Sequence, residues 1–206
     1  SSIIASNDDL ARELEEKPSM QEALANWDTC EKGGLMLKCL ALSIKKDPQY
    51  FGNTTHRQII LATCECARLA LPYTIYEERG RHYNESYRVK SAIEAAEQWA
   101  VENKSIFETL MHHYGNSPDN FGAPMSCVSA YMASSDVLST IEDVEKAPAS
   151  AYHASDAYAE SIHHLYKYNY GPEYKNAKKD IIRQCADIVR KHFPKPPKTY
   201  EESLRP

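Results

Sequence analysis

The sequence predicts an all-α protein, built as a multi-helix bundle or an irregular helical array. Apolar residues recur at helical spacing in most segments, and glycine, proline and asparagine separate those segments. No alternation of valine, isoleucine or threonine is long enough to build a sheet. Hydrophobic residues make up 42% of the 206 residues and charged residues 26%, so we expect a packed core rather than a disordered chain.

Three helical segments are predicted near the amino terminus. Residues 7–17 form a short acidic helix that a proline stops. Ser19 and Glu22 form a capping box for a second helix, and the glycine pair at residues 33–34 breaks it. Residues 35–46 are apolar on most faces, which indicates a short, deeply buried helix with a strand as the alternative.

In the middle of the chain, the sequence predicts one long helix, a loop and another helix. Thr54 or Thr55 begins the first of these helices, and Pro72 kinks or ends it. The segment 73–83 is charged and loop-like. Residues 86–102 resume the helical pattern, with small and branched apolar residues on the inward face.

The second half of the chain predicts four more helices around a clear loop. The helices are expected over residues 104–114, 125–144, 149–166 and 173–193. Residues 115–124 contain two glycines, two prolines, two asparagines and an aspartate, a composition typical of a loop.

These segments predict a chain with one main core. Residues 51–193 form the main helical domain. Residues 1–50 form an amino-terminal helical segment, and the alternatives are that it packs on this core or lies apart from it. Residues 194–206 contain four prolines and are expected to be an extended tail.

The charge of the chain is modest overall and uneven along its length. The net charge of −5 indicates neither a strongly basic nucleic-acid-binding surface nor an acidic surface that mimics DNA. Residues 1–28 are acidic and residues 167–198 are basic. We interpret both as solvated helix faces that attract each other.

Six cysteines occur without a Cys-x-x-Cys motif or a regular spacing. Most lie in apolar, helix-patterned stretches, where cysteine behaves as a small buried hydrophobic residue. The sequence has neither the pattern of a signal peptide nor an apolar run of membrane-spanning length. We therefore expect a cytoplasmic protein with reduced thiols.

Two segments carry a family resemblance. Residues 61–72 are LATCECARLALP, and residues 87–100 are YRVKSAIEAAEQWA. Together with the ending CADIVRKHFP at residues 185–194, they resemble an alanine-rich immunity protein family and related phage-encoded helical proteins, over about residues 55–195. The chain departs from the family at residues 86–90, which are SYRVK where the family has Asp-x-Arg-Pro-Arg.

The resemblance implies a helical fold and a role in neutralising a toxin or serving a phage as an accessory or counter-defence factor. Proteins of this kind act by binding another protein, so the implied partner is a toxin, a host protein or a phage protein. The implied setting is the cytoplasm of a bacterial host or a phage-infected cell. No cofactor is implied.

Arg88 and Lys90 are the first candidate partner-binding residues. They open the family-like helix, where positive charge opposes the helix dipole, and residues placed against local preference can serve a partner. The alternative is structural, because Lys90 stands four residues before Glu94, which is the spacing of an ordinary helical ion pair.

Four tyrosines beside lysines form the second candidate. Tyrosine is enriched at protein interfaces because it buries a large area with few rotatable bonds. The alternative is that these side chains cap the bundle. The four residues are Tyr166, Tyr168, Tyr170 and Tyr174.

Two kinds of enzyme site are alternatives to this binding role. A metal site needs several carboxylates and imidazoles, and the available ones are Glu160 and His163 with Glu108 and His112, completed by Glu94 or Glu97. A nucleophilic thiol would be Cys64 or Cys66 near His56, but cysteines inside apolar helices are usually inert. The chain also lacks a phosphate loop, a nucleophile elbow and a His-Glu-x-x-His motif. We therefore expect a non-enzymatic protein without a metal or cofactor.

The third alternative is a nucleic-acid-associated protein. Four basic residues of the last helix lie opposite its apolar face and point to phosphate contacts. They are Lys175, Lys179, Arg183 and Arg190. Asp180 and Asp187 interrupt this basic face, which makes nucleic acid the less favoured partner.

Overall fold

A computed structural model describes residues 18–78, 80–102, 123–165 and 171–198 of the chain. Residues 18–25 form helix α1. It is followed by α2 (Gly33–Lys46), α3 (Pro48–Arg68), strands β1 (Ile75–Glu78) and β2 (Arg81–Asn84), and helices α4 (Ser86–Glu102), α5 (Met125–Glu142), α6 (Ala147–Leu165) and α7 (Pro172–His192). The predicted all-α class is confirmed. The helices predicted at residues 7–17 and 104–114, and most of the predicted loop at 115–124, lie outside these described ranges.

Helix α6 lies at the centre of the bundle and packs against α2, α3, α5 and α7. Its buried positions are mostly alanines, which keep the neighbouring helix axes close because no long side chain separates them. These alanines are fully buried at residues 147, 151, 154, 157 and 159. The alanines of this helix therefore have a direct packing role.

Helix α3 begins and ends earlier than the sequence predicted. It starts at Pro48 rather than at Thr54 or Thr55, because a proline fits the first helical turn, where its missing N–H has no partner to lose. The helix ends at Arg68, and Pro72 lies in a short 3-10 turn. The α conformation is disfavoured for the residue before a proline, so the chain leaves the helix ahead of it.

The prediction of a loop at residues 73–83 is wrong. Strands β1 and β2 pair antiparallel, with Tyr76 opposite Tyr83 and Glu77 opposite His82. Gly80 adopts a φ of 76°, which glycine permits at a tight turn. Each strand has only four residues, too few for an alternating pattern to stand out in a charged sequence.

The glycine pair at residues 33–34 begins a helix, whereas the sequence predicted that it ends one. Helix α1 stops at residue 25, before a turn at 26–29, and Ser19 lies inside α1 rather than at its N-cap. Gly33 and Gly34 are instead the first two residues of α2, and both are buried. A Cβ on Gly33 would lie 2.5 Å from the Cβ of Cys185 on α7, so only glycine allows α2 to start against α7.

Polar contacts hold the segment after α1 against the carboxyl end of α7. The indole N–H of Trp27 donates to the carbonyl of Phe193 at 2.8 Å. The Arg190 guanidinium donates to the carbonyls of Trp27, at 3.1 Å, and Cys30. Trp27 is also part of the same apolar core as Ile59. The described part of the first fifty residues thus shares one core with the helices that follow.

A partly buried pair joins α5 to α6. The Nδ1 atom of His153 lies 2.5 Å from a carboxylate oxygen of Asp136, and both side chains are mostly buried. The hydrogen bond from Asp136 raises the pKa of His153 above its ordinary value, although burial opposes this shift. Asp156 adds a smaller attraction, and it is itself paired with Lys178 of α7. The protonated imidazole is therefore favoured in the folded protein.

We predict that replacing Gly33 destabilises the fold far more than replacing Gly34. In Gly33→Ala the new methyl group meets the backbone of Cys185 and Ala186, and such overpacking costs about 1–3 kcal/mol or more. In Gly34→Ala it meets the ring of Tyr152, which can shift. Urea unfolding of both variants measures the difference. Equal losses of stability would contradict the close approach of α2 to α7.

We predict that the His153–Asp136 pair makes stability depend on pH in a defined direction. Because the pKa of His153 is higher in the folded protein than in the unfolded protein, the pair contributes its full stabilisation below about pH 6.5, the pKa of an unfolded histidine. This stabilisation is lost as the pH rises through the pKa of the folded state. His153→Gln should remove this component. Urea unfolding of both proteins across pH 5.5–9 gives the difference, and a constant difference in the free energy of unfolding would disprove the assignment.

Candidate functional site

The first turns of α4 carry the basic candidates on an exposed face. Val89, Ala92 and Ile93 point into the core, so helical geometry turns Arg88 and Lys90 toward solvent. Both are exposed in the structure.

Each of these two cations has a nearby carboxylate. Arg88 Nε lies 3.8 Å from Glu85 Oε2, and Lys90 Nζ lies 3.7 Å from Glu94 Oε1. The second pair is the ion pair that the spacing indicated. Exposed ion pairs of this length contribute little to stability, and they leave both cationic groups accessible to a partner.

The hairpin is connected rigidly to the start of α4. The side-chain oxygen of Asn84, the last residue of β2, accepts a hydrogen bond from the backbone N–H of Ser86 at 3.0 Å. The N–H of Glu85 donates to the carbonyl of Thr74, just before β1, at 2.9 Å. Glu85 also supplies the negative charge that the helix amino terminus favours. These contacts fix the direction in which the hairpin leaves the bundle.

Two large hydrophobic residues are exposed, one in the hairpin and one at the start of α4. Ile75 begins β1, pairs with Asn84 across the hairpin, and is 52% exposed. Tyr87, in the first turn of α4, is 81% exposed. We call Ile75, Tyr87, Arg88 and Lys90 the hairpin–α4 surface. Ile75 is not among the predicted site residues because a loop is predicted there. Tyr87 is not among them either, although its position outside the inward-facing pattern of α4 indicates exposure.

The two segments that carry the family resemblance pack against each other as α3 and α4. The Arg68 guanidinium forms two hydrogen bonds to the carboxylate of Glu97, at 2.9 and 2.7 Å. This bidentate pair raises the pKa of Arg68 further. Two parallel hydrogen bonds between a guanidinium and a carboxylate orient both groups. The contact therefore fixes α4 on α3.

Trp99, the tryptophan of the motif, also contacts α3, through Arg57 and His56. The guanidinium of Arg57 lies 5.8 Å from its ring centroid, and the ring of His56 meets it edge-on. His56 also contacts the carbonyl of Thr140 on α5 at 3.0 Å. Trp99 therefore joins three helices.

Of the four candidate tyrosines, only Tyr174 lies among the described residues. Its hydroxyl donates to Glu160 of α6 at 2.9 Å, and its ring lies 5.9 Å from the ammonium of Lys178. These contacts tie α7 to α6, which fits the alternative in which tyrosine caps the bundle. Tyr166, Tyr168 and Tyr170 fall outside the described ranges.

Among the described residues, the candidate metal ligands do not form a cluster. Glu160 is held by Tyr174, and Glu97 is held by Arg68. Glu108, His112 and the side chain of His163 lie outside the described part. Within that part, no group of three or more His, Cys, Asp or Glu side chains is arranged to hold a metal ion.

The candidate thiols are buried. Burial raises the pKa of Cys64 well above its ordinary value, and contact with Cys185 and burial do the same for Cys66. Burial likewise raises the pKa of Cys39 to about 12. His56 precedes Cys64 by eight residues on α3, which separates them by about 12 Å along the axis. The structure therefore does not form a pair in which His56 activates this thiol.

The basic face of α7 is partly neutralised. Arg183 pairs with Asp180 at 2.7 Å and Arg190 with Asp187 at 2.6 Å. Arg190 is also occupied by the carbonyls near Trp27. Lys175 and Lys179 are exposed. Half of the basic candidates thus have carboxylate partners within their own helix.

Comparison of the chain with protein-family models, with curated proteins and with solved structures found no match. Among the helices in the described ranges, none is long and apolar enough to cross a membrane.

We predict that thiol reagents distinguish Cys30 from the buried cysteines. Cys30 is partly exposed, whereas Cys39, Cys64, Cys66, Cys127 and Cys185 are buried. A thiol with a raised pKa is mostly protonated at neutral pH and reacts slowly. Iodoacetamide should modify Cys30 first in the native protein and the others only after unfolding, as measured by peptide mass spectrometry. Cys30→Ser is the control, and rapid native modification of Cys64 would revive a nucleophilic role.

Proposed function

We propose that the protein is a non-enzymatic helical factor that binds another protein through the hairpin–α4 surface. The role fits an immunity-like or phage counter-defence factor, whose partner is a toxin, a host protein or a phage protein. The observation that carries this proposal is the exposure of Tyr87 next to Arg88 at the start of α4, with Ile75 exposed at the start of the adjoining hairpin. The sequence resemblance of α3 and α4 supports the same class of function.

The composition of this surface is that of an interface centre. Tyrosine and arginine are enriched among the residues that contribute most binding energy, and large exposed apolar side chains grouped together mark interaction sites. Tyr87 contributes apolar area and a hydroxyl. Arg88 contributes a planar group that binds carboxylates in two places at once.

The surface is also held in place before a partner arrives. The Asn84 cap and the Glu85–Thr74 hydrogen bond join the hairpin to α4, and the Arg68–Glu97 pair joins α4 to α3. Ordering a surface in advance lowers the entropy cost of association. The backbone that carries Tyr87 is therefore fixed before binding.

The free thiols support a reducing compartment for this activity. None of the six cysteines forms a disulfide, and five of them are buried. Such thiols remain reduced in the bacterial cytoplasm, which is the compartment that the proposal assigns.

Site-specific photocrosslinking tests the proposal. A photoreactive phenylalanine replaces Tyr87, and the same residue replaces Lys179 on α7 as the matched exposed control. In lysate of the bacterial or phage-infected source cells, the probe at position 87 should form a discrete crosslink to one protein that the probe at 179 does not form.

Affinity measurements with the crosslinked partner then test the energetic role of each residue. Tyr87→Ala should weaken binding by about 2 kcal/mol, roughly 30-fold, as expected for a hot-spot tyrosine. Arg88→Glu should slow association more at low salt than at high salt. Identical crosslinks at both positions, or unchanged affinity in Tyr87→Ala, would contradict the proposed surface.

A further inference from the structure

Residues 18–32 form an outer segment of the bundle, which we call the strap. They include α1, the turn after it and the residues that lead into α2. Most of their side chains are exposed, and within this range only Ala23 and Trp27 are buried. The strap therefore adds few buried side chains to the core that it covers.

Two side chains bond the strap to the end of α7. The indole N–H of Trp27 donates to the carbonyl of Phe193 at 2.8 Å. In the other direction, the Arg190 guanidinium donates to the strap carbonyls of Trp27, at 3.1 Å, and Cys30. The charge of Arg190 is balanced by Asp187, whose carboxylate lies 2.6 Å away. Loss of this guanidinium therefore removes two of the hydrogen bonds that hold the strap.

The start of α2 fixes the point at which the strap ends. A Cβ on Gly33 would lie 2.4 Å from the backbone nitrogen of Ala186 on α7, so the two helix backbones are in direct contact. Met36 and Leu37, which follow on α2, are fully buried. Because the core anchors α2 from its first turn, a movement of the strap stops at residue 32.

Helix α1 depends on the bundle for its stability. It spans residues 18–25, and isolated helices shorter than about 12–15 residues are marginal in water. Its apolar contacts with the core are made by Met20, Ala23 and Leu24. Segments with few buried apolar side chains and an exposed backbone open at a lower free energy than the whole domain. Undocking of the strap therefore also unfolds α1.

The thiol of Cys39 on α2 lies beneath the strap. It contacts the carbonyl of Met20 at 3.9 Å, and Cys39 is 2% exposed. Cys64, by contrast, is buried between α3 and α4, where its thiol contacts the carbonyl of Ile93 at 3.8 Å. The accessibility of Cys39 therefore reports on the strap, and that of Cys64 reports on the core.

We propose that the strap opens and closes while the rest of the bundle stays folded, and that Arg190 controls this equilibrium. Closing buries the thiol of Cys39 beneath the strap. Opening breaks the hydrogen bond to the Phe193 carbonyl and uncovers Cys39 for reaction. This conformational device is built from α1, α2 and α7, and it is independent of the hairpin–α4 surface on which the proposed function rests.

Thiol modification in urea below the global unfolding transition tests the proposal. Every protein carries Cys30→Ser, so that modification of the strap itself does not disturb its docking. Iodoacetamide should modify Cys39 at urea concentrations that leave Cys64 protected, because opening the strap exposes less surface than global unfolding. Peptide mass spectrometry measures both rates in the same sample. Equal urea dependence of the two thiols would overturn the proposal.

Variants of α7 test the role of Arg190. Arg190→Gln should raise the modification rate of Cys39 by about tenfold or more, as expected when hydrogen bonds from a charged group are lost, and leave Cys64 protected. Arg183 forms the same kind of pair with Asp180 on an exposed part of α7, so Arg183→Gln is the matched control and should leave the rate of Cys39 unchanged. Equal acceleration of Cys39 and Cys64 in Arg190→Gln, or equal effects of the two variants on Cys39, would contradict the proposal.

A milder variant covers the case in which Arg190→Gln does not fold. Trp27→Phe keeps an aromatic ring in the core and removes only the N–H that bonds to Phe193. It should accelerate modification of Cys39 in the same direction without exposing Cys64. An unchanged rate at Cys39 in a folded Trp27→Phe protein would count against the strap.

Discussion

Close approach of helix backbones is the constraint on which the rest of this structure depends. Helix α6 is surrounded by four other helices, and its buried alanines set short distances to all of them. Gly33 serves the same purpose where α2 begins against α7. Because packed interiors leave little free volume, a larger side chain at these positions would displace whole helices.

Polar contacts orient the helices that this packing brings together. The Arg68–Glu97 pair fixes α4 on α3, and Arg190 and Trp27 hold the segment after α1 against the end of α7. These interactions are partly buried and involve charged or aromatic groups, which gives them directional strength. The position of the hairpin–α4 surface follows from them, since the hairpin is bonded to the first residues of α4.

The described thiols and two of the candidate carboxylates contribute to helix packing. The thiols are buried with raised pKa values, and the carboxylates Glu97 and Glu160 are engaged by Arg68 and Tyr174. These groups stabilise helix contacts. The surface on which the proposed function rests carries the exposed Tyr87 and two exposed cations, Arg88 and Lys90.

The sequence by itself determined the helical class, most of the long helices and the inward-facing residues of α4, because helical periodicity is a local property. It also predicted the Lys90–Glu94 pair and the burial of Cys64. Only the tertiary structure decided the hairpin, the place of Gly33, and the exposure of Ile75 on a strand. These features depend on cross-strand pairing and on contacts between residues far apart in the chain, such as Gly33 and Cys185, and no local pattern encodes them.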